Sequence, residues 1–396
     1  VGLRYMPENT RLDYTRGSVG HIDTTRTVQT FAPNLRLRVK FSKTQRLDFF
    51  YRGETNQPSM TNLLNVVDNS NPLRITVGNP GLKPSWNDNF RLFYNGYNTE
   101  SQRGIMGNLS FTNERNAVTQ MLIYDDASGR QFTRPENING NWSANGGFTF
   151  NTPLNASKMF TMSTSTNVNL SRSVGYIATT SQPITLADAP NLSQVNQLFA
   201  GAVAQKSTNR ISGFSEKLDF SYRRDLWDVT LDGRVSYQHS RSSLNPSQNL
   251  DTWSYDYGVS TNITLPWSIS FSTDLRMTSR RGFATSELNT NELVWNASLS
   301  KSFLKDNALT MRLEGFDLLN QQNNISRSLT ALMRTDTRSN ILNTYVMLHA
   351  IFKLNVFGGA KLPTPPEGGG PGGPGEHRGP GNFRPSTPPP GGGHMF

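Results

Sequence analysis

The feature that most constrains this chain is a strict alternation of apolar and polar residues between Trp227 and Met277. Successive side chains of a β-strand point to opposite faces, so a period of two predicts long strands with one apolar and one polar face. Such strands suit a wall between lipid and water. The apolar positions are Trp227, Val229, Leu231, Val235, Tyr237, Trp253, Tyr255, Tyr257, Val259, Ile263, Leu265, Trp267, Ile269, Phe271, Leu275 and Met277.

Composition excludes a helical membrane protein. Only 35% of the 396 residues are hydrophobic, and no segment approaches the roughly 20 consecutive apolar residues of a membrane-spanning helix. The mean hydropathy of -0.53 would normally indicate a soluble protein. Transmembrane barrels, however, distribute their apolar residues by alternation and therefore score as hydrophilic.

Cysteine content and charge exclude further classes of function. The chain has no cysteine, which excludes disulfide scaffolds, thiol catalysis and thiolate metal sites. Its formal charge is +10, but no basic block with interleaved aromatic residues indicates a nucleic-acid surface. We attribute the charge to solvated loops and a polar lumen and expect no nucleic-acid partner.

Short and long connections alternate between about fourteen predicted strands. This arrangement predicts a transmembrane antiparallel up-and-down β-barrel, in which one side has hairpins and the other carries function. A soluble sandwich or β-helix is the structural alternative, although no constant repeat period supports a solenoid. The short connections are 304–307, 265–267, 223–226, 152–156, 97–102 and 42–45, and the long ones are 320–338, 282–288, 241–250, 174–207, 125–130, 57–86 and 7–29.

The composition changes abruptly after Phe357. We assign residues 1–357 to the barrel and residues 358–396 to a disordered Gly/Pro-rich tail, which has too few aliphatic residues to bury a core. The prolines at 388–390 could instead dock in an aromatic groove of a periplasmic partner. Five tryptophans at strand ends or outward positions predict an aromatic girdle: Trp142, Trp227, Trp253, Trp267 and Trp295.

Two segments resemble TonB-dependent receptors. Residues 71–84, NPLRITVGNPGLKP, are similar to the GNPxLKPE signature that enters a mid-barrel strand, with Ser85 in place of the usual glutamate. Residues 313–327, LEGFDLLNQQNNISR, resemble the NLFN motif of the penultimate strand. Together with Thr335-Asp336-Thr337 and the exit at 356–359, this form is most similar to receptors of Bacteroidetes. The resemblance covers residues 30–359.

The resemblance implies a receptor that takes up a ligand through a plug-gated lumen. Family members have roughly 22 strands around a plug, so this chain would be the C-terminal part of the barrel, beginning at about the ninth strand. Because open sheet edges are disfavoured in lipid, either the missing strands close the barrel or the fragment closes on itself. The implied partners are outer-membrane lipid, a plug domain and N-terminal strands outside this chain, and a TonB-type energy-coupling protein. The implied location is the bacterial outer membrane, with long loops extracellular and the tail periplasmic.

We find no pattern typical of catalysis, metal binding or cofactor binding, and expect no enzyme. The histidines His21, His239, His349, His377 and His394 lack metal-ligand spacing. His239 lies near Ser236, Ser240 and Ser242, but no acidic residue that would orient it is identifiable. Charged side chains on the polar face would line the lumen as plug or ligand contacts, or as ordinary cross-strand ion pairs: Arg36, Arg38, Lys40, Asp48, Arg52, Asp228, Asp232, Arg234, Asp256, Asp274, Arg276, Arg312 and Glu314.

The ligand and its contact residues are unknown from the sequence, but loops are where binding residues concentrate. The long connections 57–86 and 174–207 are therefore the largest candidates for ligand selection. Two alternatives remain for the function as a whole. One is a passive porin or a structural or assembly scaffold of the outer membrane, and the other is a soluble all-β adhesin or glycan-binding module.

Overall fold

The computed structural model describes residues 1–16, 20–180, 184–186, 190–246, 249–283, 286–304, 307–322, 325–329, 334–339 and 344–353. Among these residues no helix has the length and apolar character needed to cross a membrane. The predicted tail at 358–396 lies outside the described residues.

Strands account for most of the described chain. Their bounds are β1 Gly2–Arg16, β2 Gly20–Lys40, β3 Gln45–Asn56, β4 Val67–Asn71, β5 Arg74–Val77, β6 Ser85–Asn98, β7 Arg103–Arg115, β8 Ala117–Tyr124, β9 Gln131–Ile138, β10 Asn141–Pro153, β11 Phe160–Thr179, β12 Val203–Arg224, β13 Trp227–Ser242, β14 Leu250–Leu265, β15 Ile269–Arg281, β16 Asn291–Phe303, β17 Leu309–Phe316, β18 Ile325–Leu329, β19 Arg334–Arg338 and β20 Tyr345–Phe352. The helices are α1 Met60–Leu63 and α2 Leu192–Gly201, with 3-10 turns at Pro266–Ser268 and Ser286–Leu288.

Antiparallel pairing joins fourteen of these strands into one meander, which we call the wall. Its order is β1, β2, β3, β6, β7, β10, β11, β12, β13, β14, β15, β16, β17 and β20. The predicted all-β, up-and-down architecture is confirmed. Four further strands enlarge the sheet to 18, and β18 and β19 pair separately. Within the described residues no ladder joins β1 to β20.

The tight turns use left-handed backbone at residues other than glycine. Trp267 and Ser268, between β14 and β15, have φ of 63° and 57°. Two successive positive φ values are those of a type I′ hairpin turn, whose twist matches the flanking strands. The turn between β6 and β7 has Gln102 at φ 53°. These turns fall where the sequence predicted short connections.

The prediction of a long connection at residues 7–29 is wrong. Residues 7–16 and 20–29 are not a loop, because β1 and β2 pair throughout them, with register from Gly2 opposite Asn34 to Arg16 opposite Gly20. The face that carries Leu3 and Tyr5 becomes polar beyond Tyr5, and the other face has only scattered apolar residues such as Leu12 and Tyr14, so the alternation that marks the other strands stops although the backbone ladder continues. Arg11 is opposite Thr25 there, and its Nε donates diagonally to Asp23 Oδ1 at 2.9 Å.

Two predicted strands are each divided in the structure. The strand predicted between the connections 97–102 and 125–130 forms β7 and β8, separated at Asn116 with φ 52°. The strand predicted between 125–130 and 152–156 forms β9 and β10, separated at Gly140 with φ 125°. Polar side chains stabilise the break, since Asn139 Oδ1 accepts from the backbone N–H of Asn116 at 2.7 Å. The hairpin β8–β9 can therefore leave the plane of the wall.

The apolar face of the wall is continuous from strand to strand. Leu231 on β13 lies opposite Val259 on β14, Val259 opposite Leu275 on β15, and Leu275 opposite Trp295 on β16. Large apolar side chains on this face are exposed, among them Leu231 at 55%. A contiguous exposed apolar surface of this extent requires a nonaqueous neighbour.

Candidate functional site

The two longest predicted loops meet in one structure at the long-loop end of the wall, which we call the loop platform. It comprises β4, β5, β8, β9, the end of β11 and α2. β5 pairs with β9 in parallel, and β8 pairs in parallel with residues Tyr176–Ala178 of β11. The connections 57–86 and 174–207 are thereby joined through the β8–β9 hairpin.

The loop platform has its own hydrophobic core. Ile75, Ile123, Phe132 and Val195 are fully buried, at 0% exposure, and Phe199 is at 4%. Val195 and Phe199 are four residues apart on α2 and therefore lie on the same helix face. Contacts between these side chains fix α2 against the small sheet.

A capping box starts α2. The Asn191 side chain accepts from the Gln194 backbone N–H at 3.0 Å, and the Gln194 side chain accepts from the Asn191 N–H at 2.9 Å. This reciprocal pair satisfies two donors that a helix N-terminus leaves unpaired. The sequence Asn-x-x-Gln is a recognisable start signal within a segment that we treated only as a loop.

Asp125 and Arg130 close the tip of the β8–β9 hairpin. Arg130 is buried and donates from Nη2 to the Leu186 carbonyl at 2.9 Å, which ties the hairpin to the segment before α2. Asp125 accepts from the Ser128 hydroxyl, and this bond holds the pKa of Asp125 below its usual value; burial opposes the shift, and the Ala127 N–H and Arg130 add to it. The tip is thus a fixed turn.

The receptor-like segment at 78–84 packs against β9. Asn79 donates from Nδ2 to the Pro135 carbonyl at 3.0 Å, and Asn137 Oδ1 accepts from the Lys83 N–H at 2.7 Å. A Cβ at Gly78 would collide with the Leu64 carbonyl, so only glycine permits this close approach. The motif therefore leads the chain from the loop platform into β6.

In the second receptor-like segment, Asp317 organises the turn after β17. It is 1% exposed and has a φ of 43°. Its carboxylate accepts from the backbone N–H groups of Gln321 at 3.1 Å and Gln322 at 3.0 Å. The conformation and the acceptor role both suit aspartate, which tolerates left-handed backbone and caps turns.

The predicted lumen charges lie on the polar face of the wall, and several of them are paired. On β2 and β3, Asp48 accepts from Arg38 Nε at 2.5 Å, with Arg46 at 3.5 Å and Arg36 at 3.9 Å. Arg52 instead pairs with Glu54 at 3.2 Å. This corner is basic, because several guanidinium groups share one carboxylate that is 5% exposed.

A second group of lumen charges lies on β13 to β20. Arg276 reaches across β14 to Asp232 at 2.9 Å. Asp274 accepts from Asn296 at 3.1 Å, and Asp256 accepts from Thr278 at 2.7 Å. His349 is directly opposite Arg312 in the register, and its Nε2 lies 3.2 Å from Glu314. Asp228 pairs with Arg223 at 3.1 Å near the tight turn.

The structure supplies the acidic partner of His239 that sequence reasoning missed. His239 Nδ1 lies 2.6 Å from Asp251 Oδ1, and Arg241 donates to the same carboxylate at 2.8 Å. Asp251 is opposite His239 in the β13–β14 register. The length of the connection between the two strands determines which residues are paired in this way. Ser236, Ser240 and Ser242 have the other parity, so they point to the opposite face.

This cluster marks the end of the apolar face. Below it Tyr237 and Trp253 pack with ring centroids 4.6 Å apart, whereas the next positions on that face are His239 and Asp251. An aromatic layer followed by charge is typical of a membrane boundary. Outside that boundary, hydrogen bonds from Arg241, then His239 and Tyr237, hold the pKa of Asp251 well below its usual range.

Comparison with known proteins gives one family. The model described as "Outer membrane protein beta-barrel family" matches residues 1–222 and 206–352. These two matches include every strand of the wall. No curated protein matches the chain.

Proposed function

The chain belongs to the outer membrane protein beta-barrel family, and from this premise we propose that it forms part of a gated receptor similar to TonB-dependent receptors. The receptor takes up an unidentified ligand through a polar lumen. The long-loop end is extracellular, and the tail is periplasmic. A plug domain closes the lumen, and a TonB-type protein of the inner membrane supplies the energy that displaces it.

The loop platform is the observation that carries this proposal. A passive pore needs only an open polar passage, whereas a receptor needs a fixed surface on which ligand contacts are preorganised. The core formed by Ile75, Phe132 and Phe199 and the Arg130 contact with Leu186 join the described parts of the two longest loops into one packed unit. The two receptor-like motifs lie at turns that lead into or out of wall strands.

The free edges of the wall support the presence of further strands. β1 and β20 are each paired on one side within the described residues. A backbone edge without hydrogen-bond partners is strongly disfavoured in the hydrocarbon layer. Additional strands of the same barrel would satisfy both edges and would surround a plug.

A permeability measurement distinguishes the gated receptor from a passive porin. We would reconstitute the complete protein into liposomes and record swelling in isotonic solutions of small sugars. A plugged lumen gives no swelling until the plug is deleted, whereas a porin gives swelling in both forms. Absence of a plug domain and of a TonB-contact segment from the complete gene would refute active transport. The soluble adhesin alternative is not supported, because the family belongs to the outer membrane.

Orientation has a separate test that uses the absence of cysteine. Asp126→Cys lies at the exposed β8–β9 tip, and Ser157→Cys lies at an exposed tight turn. On intact cells a membrane-impermeant maleimide should label the first variant and spare the second until the outer membrane is permeabilised. The reverse pattern would place the long loops in the periplasm.

A further inference from the structure

Three arginines stand side by side on adjacent strands of the wall. Arg172 on β11 is directly opposite Arg210 on β12, and Arg210 is directly opposite Arg241 on β13. Residues paired in this way have Cβ atoms about 4.5–5.5 Å apart, and like charges directly opposite each other are destabilising. We call these residues the arginine row. Because this repulsion is present in the folded sheet, we expect an anion to bind beside the arginines.

The carboxylates that contact the arginine row do not neutralise its positive charge. Arg241 pairs with Asp251 at 2.8 Å. Among the contacts of the described residues, no carboxylate reaches Arg172 or Arg210, and Arg172 Nε is buried without a hydrogen-bond partner. Lys206 Nζ adds a fourth cation near the row: a Cβ built on Gly140 would lie 3.3 Å from Lys206 Nζ and 3.7 Å from Arg172 Cζ.

The arginine row lies where the exposed apolar face of the wall ends, because Val174, the next residue of β11 on that face, is buried against Ala117 and Ile138. Leu170 and Val168 precede Arg172 on β11 with the same parity, so all three side chains point to the same face. Trp142 on β10 is directly opposite Arg172. Cations just beyond an apolar band and beside an indole occupy the position of lipid headgroups.

An open apolar groove adjoins the arginine row. Its volume is about 390 Å³. Ala144 and Gly146 on β10 form its floor, because they are small, and Leu109, Phe111, Val168 and Leu170 on the neighbouring strands form its sides. Leu170 is opposite Ala144, and Trp142 opposite Arg172, so the groove leads along β10 and β11 to the cations.

We propose that this face holds a lipid, with an acyl chain in the groove and an anionic phosphate headgroup between Arg172 and Arg210. Guanidinium groups bind phosphate with two parallel charge-assisted hydrogen bonds, which explains arginine at both positions. Lys206 supplies a further charge from the platform side. A free phosphate ion would use the arginines but not the groove, whose continuity with them favours a lipid.

Native mass spectrometry of the complete protein in mild detergent tests the proposal. The probes are dioleoylphosphatidylglycerol, which is anionic, and dioleoylphosphatidylcholine, which is zwitterionic. The test variant is Arg172→Gln/Arg210→Gln. Its matched control is Arg234→Gln, an exposed arginine on the polar face of β13. A heat-modifiable gel shift confirms that each variant is folded.

We expect the control to retain the anionic lipid like the wild type and the double variant to retain at least about ten-fold less, because two charge-assisted contacts are lost. Gly146→Leu fills the groove and should also release the lipid with both arginines intact. Equal retention by wild type and double variant would overturn the site. Release of the lipid by millimolar inorganic phosphate, or full retention by Gly146→Leu, would overturn its assignment to a lipid. None of these outcomes depends on gating or transport.

Discussion

At the scale of single residues, Gly258 permits an ion pair between strands that are not neighbours. Asp232 on β13 and Arg276 on β15 are both in register with Gly258 on β14. Because Gly258 has no side chain, Arg276 passes over it and binds both oxygens of Asp232, at 2.9 and 3.1 Å. The Asp232 side chain is 7% exposed, so this pair replaces much of its hydration.

Gly258→Val should destabilise the wall by blocking this passage. An uncompensated buried carboxylate costs about 1–3 kcal/mol or more, and urea unfolding in lipid vesicles would measure the loss. The control is Gly233→Val, which has open space around an added Cβ. In an Arg276→Gln background the cost of Gly258→Val should fall markedly. An unchanged cost would attribute the effect to the approach of the new Cβ to the Leu275 carbonyl, at 2.9 Å.

Asp125 gives the loop platform a defined response to acid. The pKa of Asp125 is lower in the folded protein than the ordinary value of 3.8, so the carboxylate contributes stability that is complete above that value. The contribution is lost as the pH falls below 3.8 through the folded pKa. The protection factors for amide hydrogen exchange in the β8–β9 hairpin, which are corrected for the slower intrinsic exchange in acid, should therefore fall at low pH. In Asp125→Asn the protection should already be low at neutral pH and should lack this acid-induced step.

At the scale of secondary-structure elements, the loop platform depends on α2. A helix of 10 residues is marginal alone in water, so packing of Val195 and Phe199 against β5 and β9 must hold it. Arg134 also stacks over the Phe199 ring, with Cζ 4.8 Å from the centroid. The position of α2 therefore reports directly on the core of the loop platform.

Phe199→Ala should release α2 while leaving the wall intact. Truncation of a buried phenylalanine costs about 3–5 kcal/mol, more than the capping box can offset. Limited proteolysis should then cut within 180–202, and the heat-modifiable gel shift should persist. Leu198→Ala is the control, since Leu198 is only partly buried against the same core. Joint loss of the gel shift would contradict the independence of platform and wall.

The wall was predictable from the sequence, whereas the loop platform was not. Alternation in β13 to β15 identifies strands because the polarity of each side chain indicates whether it faces lipid or water. Trp227, Trp253 and Trp295 lie on the exposed apolar face as expected. The contacts of Ile75 with Phe132, and of His239 with Asp251, depend on which strands become neighbours. Periodicity carries no information on that choice. Strands such as the extension of β1 were missed for the related reason that neither of their faces is continuously apolar.

At the scale of the whole molecule, one face of the wall meets lipid and the other meets water. Exposed apolar residues recur on that face from Leu37 on β2 to Leu348 on β20. The polar face has paired charges such as Arg38 with Asp48. Outer-membrane barrels partition their residues in this way, and the family match agrees.

Neighbouring substitutions on β14 should separate the two faces. Val259→Arg places a charge on the apolar face and should cost about 2–4 kcal/mol if it lies near the bilayer centre. Ser260→Arg, one residue further on the polar face, should cost much less. Folding yield into vesicles across a urea series gives the comparison. Equal costs for the two variants would contradict the assignment of the faces.

The uninterrupted register of the wall also restricts how its length can change in evolution. Gain or loss of one residue inside a strand would exchange the lipid and water faces for every position beyond it, whereas a change of two residues preserves them. The tight turns are too short to compensate for the insertion or deletion of an odd number of residues. Lineages of this protein should therefore vary freely in loop length, but within the wall they should lengthen or shorten by even numbers or by whole hairpins.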